Sequence, residues 1–395
     1  MTAPTRRIAV AGAGIGGLTA ALCLARGGHD VTLYERAPAL REIGAGLQIT
    51  PNGAAVLEKL GLGPALDAAA IRARAVCPTD GRSGRAIARF ALDGGAHPYR
   101  FMHRAALVAL LAEAAQAQGA RIVTGRRVTG ADPAAGRLDF EDGESITADL
   151  IVAADGLRSA LRPLVADEEA GFTGQVAWRA MLDDPGGAPE ARIWMLPGRH
   201  VVTYPLPGGR LNLVAVREQP EWAPEGWDHA DDPARLHAVF EDAAPALRGL
   251  LDRVGEVRLW GLFRHPVPGR WHDGRLVLLG DAAHPTLPFL AQGANLAIED
   301  GWVLARALAD QPDLGMALGR YTQARAPRVR RAIAAAQANA RNYHLSGPAR
   351  RIAHAGLGAI GRFAPARFTA RMAWLHAHDV TRDMPAAMAG DGHES

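Results

Sequence analysis

The sequence predicts an α/β protein in which a nucleotide-binding domain is interrupted by a mostly antiparallel β-sheet domain and followed by helices. Three observations carry this reading. A strand–helix–strand unit occupies the N-terminus, and short β-rich runs separated by Pro and Gly fill residues 172–262. A buried-strand pattern then returns at residues 275–279, and everything after Gln292 reads as helix.

Taken in order, Arg7–Ala11 (RIAVA) is a short apolar run ending at glycines, as expected of a fully buried strand. Gly12, Gly14 and Gly17 follow in the pattern G-x-G-x-x-G, then the helical stretch LTAALCLARGG, stopped by Gly27 and Gly28. Asp30–Glu35 (DVTLYE) is a second strand ending in an acid. Asn52 is expected to N-cap the helix GAAVLEKLG, and residues 103–119 read as another helix. Residues 126–149 alternate around Asp-Pro and Asp-Gly turns as a hairpin excursion, and residues 150–154 (LIVAA) form a buried strand ending at Asp155-Gly156. The middle segment offers VAWRAML, ARIWML, HVVTYPL, LNLVAV and VRLWGLF as strands, with one helical insert over 233–250. RLVLL then runs into Gly280-Asp281. The expected boundaries are 1–72, 101–172 and 275–310 for a discontinuous nucleotide-binding domain, 73–100 and 173–274 for a substrate domain, and 311–395 for a helical region.

Composition narrows the function classes. With 395 residues, 48% hydrophobic and 22% charged, the chain has the material for a sizeable core and not the profile of a disordered protein. Its two cysteines, Cys23 and Cys77, exclude a disulfide scaffold and a thiolate metal cluster and fit a reducing compartment. His376 and His378 have no obvious third ligand nearby, so no metal is expected. Arg6-Arg7 ahead of an apolar run superficially resembles an export signal, but the glycines are spaced for another purpose and no convincing cleavage site follows. No apolar run reaches the ~18 residues of a membrane span, and the expected location is cytoplasmic. Residues 320–382 carry twelve arginines against one acid, Asp379. Such a stretch could bind nucleic acid or an anionic surface, but packing of arginine-studded helices on an acidic body is the favoured reading.

A lone G-x-G-x-x-G is weak evidence, but here a strand precedes it, a helix follows, and Glu35 lies 23 residues beyond Gly12. Glycines let the backbone approach a pyrophosphate seated on helix-terminal N–H groups, and the acid accepts from a ribose hydroxyl. That specifies an ADP-containing dinucleotide, NAD or FAD. Two later segments bear on the choice: Asp155-Gly156-Leu157-Arg158-Ser159-Ala160-Leu161-Arg162, and Gly280-Asp281-Ala282-Ala283-His284-Pro285 followed by Pro288 and Gln292-Gly293-Ala294-Asn295. Each sets an acid at the C-terminal end of a strand, where open α/β sheets bind ligands. In this order and spacing, the three motifs resemble those of the single-component FAD-dependent aromatic hydroxylases, the p-hydroxybenzoate hydroxylase-like flavoprotein monooxygenases. The resemblance spans roughly residues 7–337, and REIGAGLQITPNG and LPFLAQGANLAIEDG look most like salicylate and 3-hydroxybenzoate hydroxylases.

This resemblance implies a Rossmann-like FAD-binding domain and an NAD(P)H- and O2-dependent hydroxylation of a phenol or aromatic acid through a flavin C4a-hydroperoxide. Gly12, Gly14, Ile15, Gly17, Glu35 and Arg36 would hold the ADP half of FAD, with Arg104 also contacting the cofactor. Asp155 would assist both FAD and the nicotinamide, Arg158 matches the family's cofactor-binding arginine beside it, and Asp281 would bind the ribityl chain. Gly293, Ala294 and Asn295 would bring N–H groups to the flavin pyrimidine, where a helix N-terminus stabilises negative charge. The bland alternative for Asp281 is a helix N-cap. The chain departs from many relatives at Ala291, where they carry Gly, and at Leu296, where close relatives often carry a polar residue.

Strand period puts His200, Val202 and Tyr204 on one face. If that face looks toward the flavin, His200 and Tyr204 are the candidates to bind or deprotonate a substrate hydroxyl. The loop Gly44-Ala-Gly46 leads to Gln48, which joins Pro288 and Phe289 as candidate pocket residues. An aromatic carboxylate would want an arginine, yet nothing in the sequence aims Arg179 or Arg192 at the pocket. With no second glycine motif, NADH or NADPH would bind transiently as co-substrate. The expected partners are a small aromatic substrate and O2, without nucleic acid or a membrane span, in a monomer or homodimer. Alternatives are the same flavoprotein fold acting on a non-benzenoid ring or polyketide, or a flavin reductase without oxygen activation.

Overall fold

The computed structural model describes residues 4–40, 46–92, 95–184, 186–221 and 229–383. Gly44 and Ala45 of the glycine loop lie outside the described residues. A six-stranded sheet runs in the order His272–Asp273, Leu276–Leu278, Leu150–Ala153, Arg7–Ala11, Asp30–Glu35, Arg121–Thr124, parallel except for the first short hairpin. Its central strands Arg7–Ala11, Leu150–Ala153 and Leu276–Leu278 are near-continuous apolar runs because helices cover the sheet there, and Leu150–Ala153 is buried at every position.

Register lines up the three motifs. Ala11 pairs with Ala153, and Ala153 with Leu278. Gly12, Asp155 and Asp281, which follow these strand ends by one, two and three residues, therefore emerge together at the carboxyl edge of the sheet. Two longer helices start at this edge, Ile15–Arg26 and Gly293–Asp310.

The second sheet has eight strands in the order His229–Asp231, Val257–Arg264, Gly171–Asp183, Arg210–Glu218, Arg199–Leu206, Glu190–Leu196, Ala75–Asp80, Phe90–Ala91. It is mostly antiparallel, the pairing of Ala75–Asp80 with Glu190–Leu196 being parallel. One face, with Trp178, Val201 and Leu213, packs on Leu236, Phe240 and Leu247 of two short helices. The other face turns toward the first sheet: Ala177, Val214, Val216 and Trp260 meet Leu287 and Phe289, while Tyr204 meets Tyr99 and Phe101.

Two local expectations are corrected. The single helical insert is two helices, Pro233–Val239 and Pro245–Leu251. Pro245 cannot continue a preceding helix and instead opens the second one. Asn52 is not a cap: Pro51 starts that helix one position earlier, with Thr50 before it. The Asn52 side chain is buried and donates to Glu299 Oε1 at 2.6 Å.

The arginine-rich end begins with the helix Leu314–Tyr343, which runs beside Gly293–Asp310. Arg325 is buried and bonds both Glu299 and Asp300 at 2.6 Å, and Arg328 bonds Glu299 at 2.7 Å. Arg350 pairs with Asp80 at 2.9 Å. These arginines pack on acids of the body. Among the described residues no helix is long and apolar enough to cross a membrane.

Candidate active site

Three glycines shape the N-terminal turn in different ways. Gly12 has φ +98°, and a Cβ there would lie 2.5 Å from the Ala154 carbonyl oxygen. A Cβ on Gly17 would lie 2.0 Å from the Gly12 oxygen, so the helix packs too close to the turn for any side chain. Gly14 faces open space within 4 Å, the surface over which a pyrophosphate would pass. The helix behind it, beginning at Ile15, has no side-chain cap and no acid in its first turn, which leaves its N–H groups and positive end available to an anion. Glu35 accepts from the backbone N–H groups of Ala13 and Ala37, each at 2.8 Å. It thus braces the glycine turn, and each oxygen keeps a lone pair for a ribose hydroxyl. Arg36 beside it is exposed.

At the neighbouring strand end, Asp155 Oδ2 accepts from Ala160 N–H at 2.9 Å, while Oδ1 is buried without a hydrogen-bond partner among the described residues. Loss of water pushes this carboxyl above its ordinary value, against hydrogen bonds from Ser159 and nearby backbone. Arg158 is exposed three residues on. Asp281 sits inside a short 3-10 turn, Gly280–Ala282, preceded by Leu279, so it is not a cap. Desolvation raises its carboxyl too, opposed by the positive field of His284 and Arg104. Arg104 opens the helix Arg104–Ala117 and so reaches the same cleft.

The helix Gly293–Asp310 points its N-terminus at the cleft, again without a side-chain cap or first-turn acid. Gly293 and Ala294 are half-buried there. The Asn295 side chain is spent on the protein: it donates to the carbonyls of Gln48 and Ala291 and accepts from Thr50 N–H. Only its backbone remains for a cofactor, and its side chain fixes Gln48 against the helix start. An orphaned acid oxygen, two bare helix N-termini and an open glycine turn together match the hydroxyl donors and phosphates of FAD.

Facing this edge is the inward side of the eight-stranded sheet. His200 and Tyr204 are both buried on it, and the half-buried Val202 lies between them. Tyr204 bonds Gln48, which also accepts from the Tyr99 hydroxyl at 2.6 Å, and its ring lies 5.1 Å from Phe101. Burial pushes the Tyr204 phenol up, so it stays a neutral donor. His200 lies 5.5 Å from the ring of Phe289 and 5.2 Å from that of Tyr343, and burial drives its imidazole well below the ordinary value. Phe289 is buried, whereas Pro288 is exposed at the turn before it. Asn212 Oδ1 accepts from Gly46 N–H at 2.9 Å and ties the sheet to the strand bearing Gln48.

The two sheet arginines separate. Arg179 aligns through Val214 with Val202, on the face of Tyr204, and its charge pulls on the Tyr204 phenol. Arg192 pairs with Thr203 and stacks on Trp194, toward the opposite face. Sequence reasoning left Arg179 unaimed, although its spacing of two from Ala177 already put the two on one face. It gave no sign of His344, 144 residues from His200, whose Nε2 lies 2.8 Å from His200 Nδ1.

A protein-family model described as "FAD binding domain" matches residues 5–336. The 3-amino-4-hydroxybenzoate 2-monooxygenase PtnB3 of Streptomyces platensis is 37% identical over 88% of this chain and 91% of that protein. A 3-hydroxybenzoate 6-hydroxylase of Polaromonas naphthalenivorans is 33% identical over 94% and 96%. The chain belongs to the single-component FAD-dependent aromatic hydroxylases. Klebsiella pneumoniae HpxO, solved with FAD and uric acid, superposes on this hydroxylase with TM-score 0.80 at 28% identity, covering 93% of this chain and 95% of that one. FAD is therefore the cofactor, reduced by NAD(P)H, and the hydroxylase is a monooxygenase. The dinucleotide that the glycine motif left open between NAD and FAD is thereby decided.

Proposed function

We propose that this hydroxylase inserts oxygen into a phenolic aromatic acid held between the flavin edge of the first sheet and the inward face of the second. The supporting observation is the placement of His200, Tyr204 and Arg179 on that one face, opposite the start of the helix Gly293–Asp310. The relatives named for hydroxybenzoate substrates suggest the same substrate class.

In this reading the FAD-binding region (1–72, 101–172 and 275–310) presents the cofactor to a substrate domain (73–100 and 173–274). Bound FAD supplies hydride acceptance from NAD(P)H and the activation of O2. Gly12, Gly14, Ile15, Gly17, Glu35 and Arg36 hold its ADP half, with Arg104, Asp155, Arg158, Asp281 and the N–H groups of residues 293–295 on the rest. Arg179 takes the substrate carboxylate, a fork-shaped donor for a planar acceptor. Neutral His200 accepts the phenol proton, which makes the ring electron-rich, and Tyr204 with Gln48 orients the hydroxyl. Pro288 and Phe289 border the ring, and Phe289, Val214 and Trp260 exclude water. A cytoplasmic monomer or homodimer fits the same reading.

The test is a screen of 3-amino-4-hydroxybenzoate, 3-hydroxybenzoate and their non-carboxylated phenols for stimulated NADH and NADPH oxidation. The acids stimulate turnover and the Arg179→Met variant raises KM for them selectively. Equal stimulation by the phenols lacking a carboxylate contradicts the Arg179 role.

A further inference from the structure

His200 is one end of a file of three side chains. Its Nδ1 lies 2.8 Å from His344 Nε2, and His344 Nδ1 lies 2.9 Å from Glu218 Oε1. The file runs outward: His200 is 1% exposed, the His344 side chain 2%, and the Glu218 side chain 56%. Three elements supply it: the strand Arg199–Leu206, the residue ending the helix Leu314–Tyr343, and the last residue of the strand Arg210–Glu218. One turn holds them together, because Gly198 N–H donates to the His344 carbonyl and Glu218 N–H donates to the Gly198 carbonyl.

The carboxylate fixes the tautomers from the outside inward. An ionised Glu218 only accepts, so His344 Nδ1 carries its proton and His344 Nε2 is bare. His200 Nδ1 must then donate, which leaves His200 Nε2 as a bare acceptor. Among the described residues nothing hydrogen-bonds that nitrogen. Burial lowers both imidazoles, which keeps them neutral, and the Tyr343 phenol beside His200 is pushed up to about 12.

We propose that His344 and Glu218 form a proton exit from the substrate chamber, acting through His200. The proposal rests on the reading that His200 Nε2 meets the substrate hydroxyl. The phenol O–H breaks and an Nε2–H bond forms on His200. His200 Nδ1–H then breaks as His344 gains a proton at Nε2. Finally, His344 Nδ1–H breaks as Glu218 is protonated and exchanges with water. No electron pair leaves the chain of bases, both imidazoles end neutral in the opposite tautomer, and the chamber holds a phenolate. His344 is here a positioning and relay residue, because it touches His200 and not the substrate.

The experiment mixes the FAD-loaded protein with 3-amino-4-hydroxybenzoate, and separately with 3-hydroxybenzoate, in weakly buffered solution with an indicator dye. Wild-type protein releases a proton as the phenolate spectrum appears. His344→Phe slows release by at least about tenfold with unchanged flavin content and Kd. Glu218→Gln slows it less, and added buffer restores its rate, a response that a purely structural role would not produce. His200→Ala separates the two claims: loss of phenolate there with normal release in His344→Phe overturns the exit alone. Normal phenolate in His200→Ala overturns the reading on which it rests. Wild-type protein that releases no proton with either acid, or a Glu218→Gln rate indifferent to buffer, also overturns the exit.

Discussion

Asp281 is a desolvated carboxylate at the carboxyl edge of the first sheet. Desolvation raises its carboxyl, and only the field of His284 and Arg104 opposes the cost. A ribityl hydroxyl donating to it would offset that cost. Asp281→Ala is expected to weaken FAD retention by about ten- to a hundredfold, the worth of a hydrogen bond to a charged group. Flavin content after gel filtration measures this, and unchanged content would remove Asp281 from the site. Ala291 is the one described non-glycine residue with a left-handed backbone, φ 54°. Left-handed geometry costs an L-residue about 1–2 kcal/mol, and glycine loses about 0.5–1 kcal/mol of chain entropy. Ala291→Gly should therefore be neutral or stabilising by up to about 1 kcal/mol in a thermal melt. A clear loss of stability would show that the Ala291 methyl packs usefully.

At the scale of elements, the helix Gly293–Asp310 is anchored from beneath by a buried charge cluster. Glu299 and Asp300 are both fully buried; against the desolvation that raises them, Arg325 and then Arg328 hold Glu299, and His284 and then Arg325 hold Asp300, below the ordinary carboxylate range. Arg325→Met leaves two buried carboxylates short of a partner, and should cost about 3–5 kcal/mol in urea unfolding. A loss below about 1 kcal/mol would mean that the cluster relaxes by taking up protons. The acids of this cluster lie in the stretch LPFLAQGANLAIEDG that the sequence singles out, but their partner Arg325 read only as one arginine of a basic stretch. Periodicity likewise put His200 and Tyr204 on one strand face, but not which way that face looks. That direction is decided by the two short helices Pro233–Val239 and Pro245–Leu251, which occupy the other side. Local pattern locates elements, whereas facing depends on what packs against them. The Asn52 misreading has the same origin, since its partner Glu299 lies 247 residues away.

For the molecule as a whole, the fold class was legible because three central strands of the first sheet, Arg7–Ala11, Leu150–Ala153 and Leu276–Leu278, are apolar runs that end in chemically distinct turns. The histidines make stability depend on pH. His200 and His344 are lowered by burial, and His376 is lowered to about 4. Unfolded, each would titrate near 6.5. Their folded neutral forms therefore contribute stability above about pH 6.5 that is lost as pH falls toward 4. The depressed Glu299 and Asp300 add a further loss at still lower pH. Asp155 and Asp281, raised in the fold, act in the opposite direction and soften the decline. Urea midpoints should fall steadily from pH 7 to pH 4.5, and a flat profile would contradict the burial of these imidazoles. The account as a whole stands on an aromatic acid meeting reduced flavin and oxygen inside one water-poor chamber. Turnover of purified FAD-loaded protein with 3-amino-4-hydroxybenzoate, NAD(P)H and 18O2 tests that most directly. One 18O atom should appear in the hydroxylated ring, with reductant use tightly coupled to product. Reductant consumed to hydrogen peroxide with no labelled product, for this acid and for 3-hydroxybenzoate alike, would contradict it.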